Sequence, residues 1–344
     1  MHKLLSVAIP CYNSQEYVRH SIESLLPGRD QIEIIVVNDG STDDTQKIAE
    51  EYAGRYPGTI KVVNKENGGH GDAVMAGLRE ATGLYFRVLD SDDWLDENAL
   101  YIFLGTLKKM QDSGDPVDLI ITNYVHENVI EKRSCSINYH KNLPINRRFS
   151  WNEVKKFEMG SYLLMHATTF RTDLLVSCNM ELPKHTFYVD HLFVSYPLVH
   201  VESMFYLDVD LYRYFIGRAD QSVNVNIMLQ RINMQLEVNR RMIYDLALEN
   251  ISSTPKREYF YYYIELISLV TITLLLHSGT KENEELMESF LDEIMEKKPD
   301  VYNWIMSKPL HRHPIRPIRI LPHFICYPVY RIAFRIGRRL LALN

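Results

Sequence analysis

Apolar residues in the first 120 positions come in short β-branched runs separated by stretches with a helical repeat, the alternation expected of strands joined by helices over a parallel sheet. Leu4–Pro10, Ile32–Asn38, Ile60–Asn64 and Leu84–Leu89 read as strands. Between them the spacing predicts three helices: one capped by Ser14 and reaching about Leu26, one capped by Ser41 or Thr42 and reaching about Tyr56, and one over about Ala73 to Ala81. Residues 118–217 mix short strands, such as Leu119–Thr122 and Ser203–Leu207, with helices that include one after Val189, and read as a second half of the same domain. From Ser222 the pattern turns helical: Val223–Leu248 is amphipathic and Pro255 suits a first helical turn. The expected organisation is an α/β domain over 1–221, divided near residue 120, a helical region over 222–307 and a separate tail over 308–344.

Tyr259–Leu276 is strongly apolar, and its eighteen residues are close to the minimum for a membrane span. It also holds Glu265, Ser268, Thr271, Thr273 and four tyrosines, which favour a helix buried in a bundle or at a homo-oligomer interface.

Composition adds one asymmetry. The chain has 344 residues, 46% hydrophobic and 24% charged, as ordinary folded proteins do. Its net charge of −6 conceals eight Lys or Arg and no Asp or Glu from Lys308 to Asn344, which leaves −14 for everything before. An acidic body disfavours nucleic acid as a partner and makes the tail a separate electrostatic object. Within it Arg331, Arg335, Arg338 and Arg339 fall on one helical face, with apolar residues around them, so 322–343 is expected to lie on an anionic membrane surface or to dock on protein. Cys11, Cys135, Cys178 and Cys326 form no C-x-x-C pair, and the first ten residues lack the apolar core of a signal peptide. A cytoplasmic protein, peripheral at the inner face of the plasma membrane, is the expectation.

Three of the strands end in polar loops, Asn38–Asp39, Asn67–Gly71 and Asp90–Asp93, and in open α/β sheets such ends converge on one crevice. The carboxylates of Asp90-Ser91-Asp92-Asp93 need a counterpart: either a divalent Mn²⁺ or Mg²⁺ shared with phosphates, or a capping role for the helix that starts near Asp96. The glycine-rich loop could bring backbone N–H groups to a phosphate, but it matches neither G-x-G-x-x-G nor the phosphate loop with its lysine. Asp39 would accept hydrogen bonds from a base or cap the following helix.

In this order Val7-Ala-Ile-Pro-Cys-Tyr-Asn, Ile35-Val-Val-Asn-Asp-Gly-Ser-Thr-Asp-Asp-Thr, Asn67-Gly-Gly-His-Gly and Leu89-Asp-Ser-Asp-Asp-Trp resemble the successive signatures of family-2 glycosyltransferases. The resemblance covers residues 4–96 closely and extends more weakly to about Asn224. It implies a GT-A fold, a nucleotide-sugar donor such as a UDP-sugar, a divalent metal at D-x-D, and inversion at the anomeric carbon. It places Asp39 on the donor base, with Pro10 and Tyr12 lining the same pocket. Asp90 and Ser91 would lie by the ribose, Asp92 would hold the metal, and Asp93 would support that site or cap. Asn67, Gly68 and Gly69 would flank the donor sugar, although His70, Asp72 and Met75 depart from the commoner pattern that follows the glycines. Tyr188-Val-Asp-His-Leu-Phe resembles the segment carrying the general base, which makes Asp190 the base, with Val189 in place of the usual preceding acid. Without the family a carboxylate there reads equally as a helix cap. His166 would touch acceptor or diphosphate, or be an ordinary half-buried histidine, and Arg218 or Gln221 would reach the phosphates.

The resulting expectation is transfer of a hexose or N-acetylhexosamine to a saccharide or lipid-linked saccharide hydroxyl. A nucleotidyltransferase would also use metal-binding carboxylates on an α/β half, and would release pyrophosphate instead of nucleoside diphosphate. A non-catalytic nucleotide-sugar-binding scaffold is the third reading, and an intact D-x-D with Asp190 speaks against it.

Overall fold

The computed structural model describes residues 3–128, 131–217 and 224–307, which fall into two compact units: 3–156 with 163–217, and 157–162 with 224–307. The basic segment 322–343, Arg218, Gln221 and Cys326 lie outside the described residues.

In the first unit the chain runs β1 (Leu5–Cys11), α1 (Val18–Leu25), β2 (Ile32–Asp39), α2 (Thr45–Arg55), β3 (Ile60–Lys65), α3 (His70–Arg79), β4 (Tyr85–Val88), β5 (Trp94–Leu95) and α4 (Glu97–Asp112). It continues with β6 (Leu119–Asn128), β7 (Arg133–Ile137), β8 (Arg148–Phe149), β9 (Thr168–Arg171), α5 (Thr172–Ser177), α6 (Asp190–Leu198) and β10 (Met204–Ile216). One sheet takes the order β3-β2-β1-β4-β9-β6-β10-β5, with β7 added to β6 and β8 to β10. β1 to β4 are parallel, as the alternation predicts. The second half is mixed: β6 and β10 run parallel to each other, while β9 lies antiparallel between β4 and β6. Every residue of β1 is buried, which explains its continuous apolar run. Ile35 and Val37 of β2 pack with Ala73 and Ala76 of α3. At Gly77 this helix approaches β1 so closely that a side-chain carbon would sit 2.6 Å from Ala8 Cβ.

Local signals were misassigned at three helix starts. Ser14 does not cap α1; its hydroxyl pairs with Ser91 Oγ at 2.7 Å. Ser41 and Thr42 do not cap α2. Their loop is tied instead to the end of β1, because Ser41 Oγ accepts from the Asn13 N–H and the Thr42 N–H donates to Asn13 Oδ1. α3 begins at His70, three residues before the expected start, after Gly69 takes a positive φ of 88°. At the first two a tertiary partner outcompeted a locally adequate cap.

The second unit contains α7 (Val225–Gln230), α8 (Ile232–Tyr244), α9 (Thr254–Ser278), α10 (Lys281–Lys297) and α11 (Pro299–Ser307). Ser253 caps α9 by accepting from the Lys256 N–H, Pro255 occupies its first turn, and Gly279 ends it at a φ of 66°. Among the described residues α9 alone is long and apolar enough to cross a membrane, yet 72% of its most apolar stretch is buried inside the structure. Its polar positions are paired: Gln235 Nε2 donates to Thr271, Asn239 Nδ2 to Ser268 and Trp304 Nε1 to Glu265, the last at 2.7 Å. The self-association surface expected of Tyr259–Leu276 is therefore largely covered by this chain's own helices.

Candidate active site

The carboxyl ends of β1, β2 and β4 lie side by side, since β1 pairs with both neighbours in parallel register. Pro10 and Cys11 stand opposite Val37 and Asn38. Pro10 is buried, whereas Tyr12, just beyond it, is 55% exposed. Asp39 ends β2 and is almost fully buried. Its carboxylate accepts the N–H groups of Gly68 at 2.9 Å and Gly69 at 2.8 Å, and Lys65 Nζ also binds it. Asn67 Nδ2 donates to the Asp39 carbonyl at 2.9 Å. The two glycine N–H groups are thus given to Asp39, so the phosphate cradle expected of this loop is not what these donors form. Lys65 also pairs with Asp72 at 2.8 Å; burial disfavours its charge, but the two carboxylates outweigh that and raise its pKa. Glycine is required at 69 both by its φ and because any side chain there would meet the backbone of His185 at 2.9 Å.

His70, the first residue of α3, places Nε2 2.9 Å from Asp90 Oδ1. Burial works against its protonation, but the carboxylates of Asp90, Asp190 and Asp92 prevail and its pKa is raised. The Ser91 hydroxyl pairs with Ser14 Oγ at 2.7 Å. Asp93 is fully buried and does not cap α4; Asp96 does, accepting from the Ala99 N–H at 3.0 Å. Asp93 is held from β10 instead, accepting from Tyr212 Oη at 2.6 Å and from the Phe215 N–H at 2.8 Å. Burial, reinforced by Asp92 and Asp90, pushes its pKa well above the usual carboxylate range.

His166 lies beneath this loop, its ring 4.7 Å from that of Tyr212 and 4.4 Å from that of Tyr214. Burial, with help from Arg87 and His126, holds its pKa down at about 4 against the pull of Asp90 and Asp190, so near pH 7 it is a neutral imidazole. Its Nδ1 is buried and has no hydrogen-bond partner among the described residues. Arg87, in mid-strand of β4 and fully buried, donates to the His166 carbonyl and to Thr169 Oγ1 at 2.9 Å, with its guanidinium 5.4 Å from the Tyr212 ring centre.

Asp90, Asp93 and His166 bring one ligand atom each within 4.8 Å of one another. Two carboxylates and a neutral imidazole suit Mn²⁺ or Mg²⁺ bound jointly with a diphosphate, and the unpartnered Nδ1 of His166 fits such an ion. Asp92, the expected metal ligand, is not one of these three, although its charge acts on both His70 and Asp93. Asp190 sits in the first turn of α6, and its charge raises the proton affinity of His70, His166 and Tyr214. Sequence reasoning did not find Arg87 or the link between Tyr212 and Asp93. A lone arginine in an apolar strand was a signal for the first; for the second, Tyr212 and Tyr214 share a strand face, but nothing in the sequence names their partner.

The mixed sheet flanked by helices, with carboxylates at one rim, is a GT-A fold: the Staphylococcus aureus TarS 1–349 structure in complex with UDP-GlcNAc matches it with a TM-score of 0.69 at 20% identity, covering 97% of this chain and 92% of that one. The mannosyltransferase PcManGT from Pyrobaculum calidifontis, in complex with GDP-Man and Mn²⁺, matches with a TM-score of 0.52 at 15% identity over 96% of this chain and 88% of its own. Residues 6–172 match the Glycosyl transferase family 2 profile, and the chain carries a family 2 glycosyltransferase domain. EpsH of Bacillus subtilis, itself only provisionally named a glycosyltransferase, is 40% identical over 124 residues, which are 36% of this chain and 34% of EpsH. The minor teichoic acid biosynthesis protein GgaA of the same organism is 39% identical over 103 residues, 28% of this chain and 23% of GgaA. The chain thus spans about a third or less of these two relatives, and about half of an uncharacterized glycosyltransferase from Rickettsia prowazekii.

Proposed function

We propose that this chain is an inverting, metal-dependent glycosyltransferase that moves a hexose or N-acetylhexosamine from a UDP-sugar to a hydroxyl of a saccharide or lipid-linked saccharide. The observation that carries the proposal is the pairing of two carboxylate groups with different tasks around one buried, neutral histidine. Asp90 and Asp93 converge with His166, while Asp190 stands apart at the head of α6 but within electrostatic reach. Asp90, Asp92, Asp93 and His166 would hold Mn²⁺ or Mg²⁺, which when bound offsets the charge developing on the diphosphate. Asp190 takes the proton of the acceptor hydroxyl as its oxygen bonds to the anomeric carbon and the bond from that carbon to UDP breaks. Asp39, Pro10 and Tyr12 receive the base. The UDP-GlcNAc bound by TarS and the polymer-building role in the name of GgaA support a UDP-sugar donor and a bacterial surface polymer as the setting. The basic segment 322–343 would bring the enzyme to the cytoplasmic face of an anionic membrane.

The test is hydrolysis of a panel of nucleotide sugars with Mn²⁺, Mg²⁺ or EDTA, read as released nucleoside diphosphate. Metal-dependent release of UDP from one sugar nucleotide, lost in Asp92→Asn, is the expected result. Absence of both release and nucleotide binding overturns the proposal, donor binding with no turnover on any acceptor would make the chain a scaffold, and release of pyrophosphate from a nucleoside triphosphate would make it a nucleotidyltransferase.

A further inference from the structure

The geometry points to Tyr212 as the positioning residue that sets Asp90, Asp93 and His166 relative to one another. Tyr212 is fully buried in β10 and touches all three. Its hydroxyl donates to Asp93 Oδ2 at 2.6 Å and accepts the Asp90 N–H at 3.2 Å, and its ring stacks on His166 with a 26° interplanar angle. The backbone N–H of Asp90 can only donate, which leaves the single proton of the phenol free to go to Asp93. Burial and the flanking carboxylates keep that phenol protonated. The ring has further fixed neighbours: the Arg87 guanidinium lies 5.4 Å from its centre, the His166 ring centre lies 4.7 Å away, and Tyr212 pairs in register with Leu95 of β5. A residue in such a place touches no substrate. It acts through the carboxylates, as outer partners of metal ligands do when they orient a site.

This inference rests on the metal reading given above, so its test needs one measurement that does not involve metal. The Tyr212→Phe variant keeps the ring and its stacking and removes only the hydroxyl. Tyr85→Phe is the matched control: Tyr85 is equally buried, and its hydroxyl likewise bridges a carbonyl and an N–H, those of Val117, away from the site. Amide hydrogen exchange over residues 89–95 should speed at least tenfold in Tyr212→Phe and change less than twofold in Tyr85→Phe. The Mn²⁺ dissociation constant should rise by roughly 10- to 100-fold in Tyr212→Phe alone, with the larger part of the turnover defect in the KM for metal rather than in kcat. Wild-type exchange and wild-type Mn²⁺ affinity in Tyr212→Phe would overturn the assignment, as would the same changes in Tyr85→Phe. Should the wild-type protein bind no Mn²⁺, the metal reading falls, and faster exchange over 89–95 still decides for Tyr212, or its absence against.

Discussion

The two halves of the sheet handle buried polarity in opposite ways. Around β1 to β3 each buried carboxylate is met by N–H groups or lysines: Asp39 by Gly68, Gly69 and Lys65, at most 30 residues away, and Asp72 by Lys65. From β4 to β10 ion pairs also occur, as between Asp118 and Arg171, but beside the carboxylate cluster two buried groups take neutral and remote partners. Arg87 binds the carbonyl of His166, 79 positions on, and Asp93 takes the phenol of Tyr212, 119 positions on. Aromatic rings stand where the first half uses opposite charges. The first half meets its charges with N–H groups and a lysine, whereas in the second Asp90 has His70, Asp93 has only neutral donors, and the Nδ1 of His166 is short of a partner among the described residues. That shortage is what a cation would relieve.

The largest effect that would sharpen this contrast lies in the second half. Asp190→Asn should lower transfer by about 10²- to 10⁴-fold while leaving UDP affinity as it is; initial rates beside calorimetry read both, and an active variant would remove Asp190 from the chemistry. Next comes acid. The unfolded histidine titrates near 6.5 and His166 near 4, so below about pH 6.5 the unfolded chain binds a proton that the folded one refuses. Stability should therefore fall by about 3 kcal/mol as pH drops from 6.5 to 4, present in full above that window. Denaturant melts in EDTA across this range measure it, and His166→Gln should flatten the slope; an unaltered slope would show that the burial of His166 is not its cause. In the first half, Lys65→Met should cost about 2 kcal/mol, because it leaves Asp39 with only its two glycine N–H groups and Asp72 with only Lys184 at 3.8 Å, around the place of a half-buried cation. Lys61, whose pair with Glu80 is largely exposed, serves as the contrast: Lys61→Met should cost no more than about 0.5 kcal/mol by the same melts. Equal costs for the two lysines would mean that burial is not what distinguishes them.

The same contrast explains what could be read from the chain. The first four strands and the polar loops after them were legible because each motif is contiguous and its partners are near. The caps failed because Ser14, Ser41 and Thr42 each had a long-range rival, Ser91 or Asn13, that no local rule weighs. The antiparallel insertion of β9 was likewise invisible, since a four-residue strand announces its neighbours only through register. Asp93 read equally as a cap or a site residue until β10 supplied its donors.

Gly77 is a spacer as much as a packing residue. It stands seven positions after His70, on the same face of α3 and about 10 Å along its axis. Because Ala8 leaves no room for even a methyl group there, the thickness of one hydrogen atom sets the height at which the helix rides over β1. A larger residue would tilt the rod at its far end and lift the imidazole from Asp90, so the width of the crevice is gauged two turns away from the crevice itself.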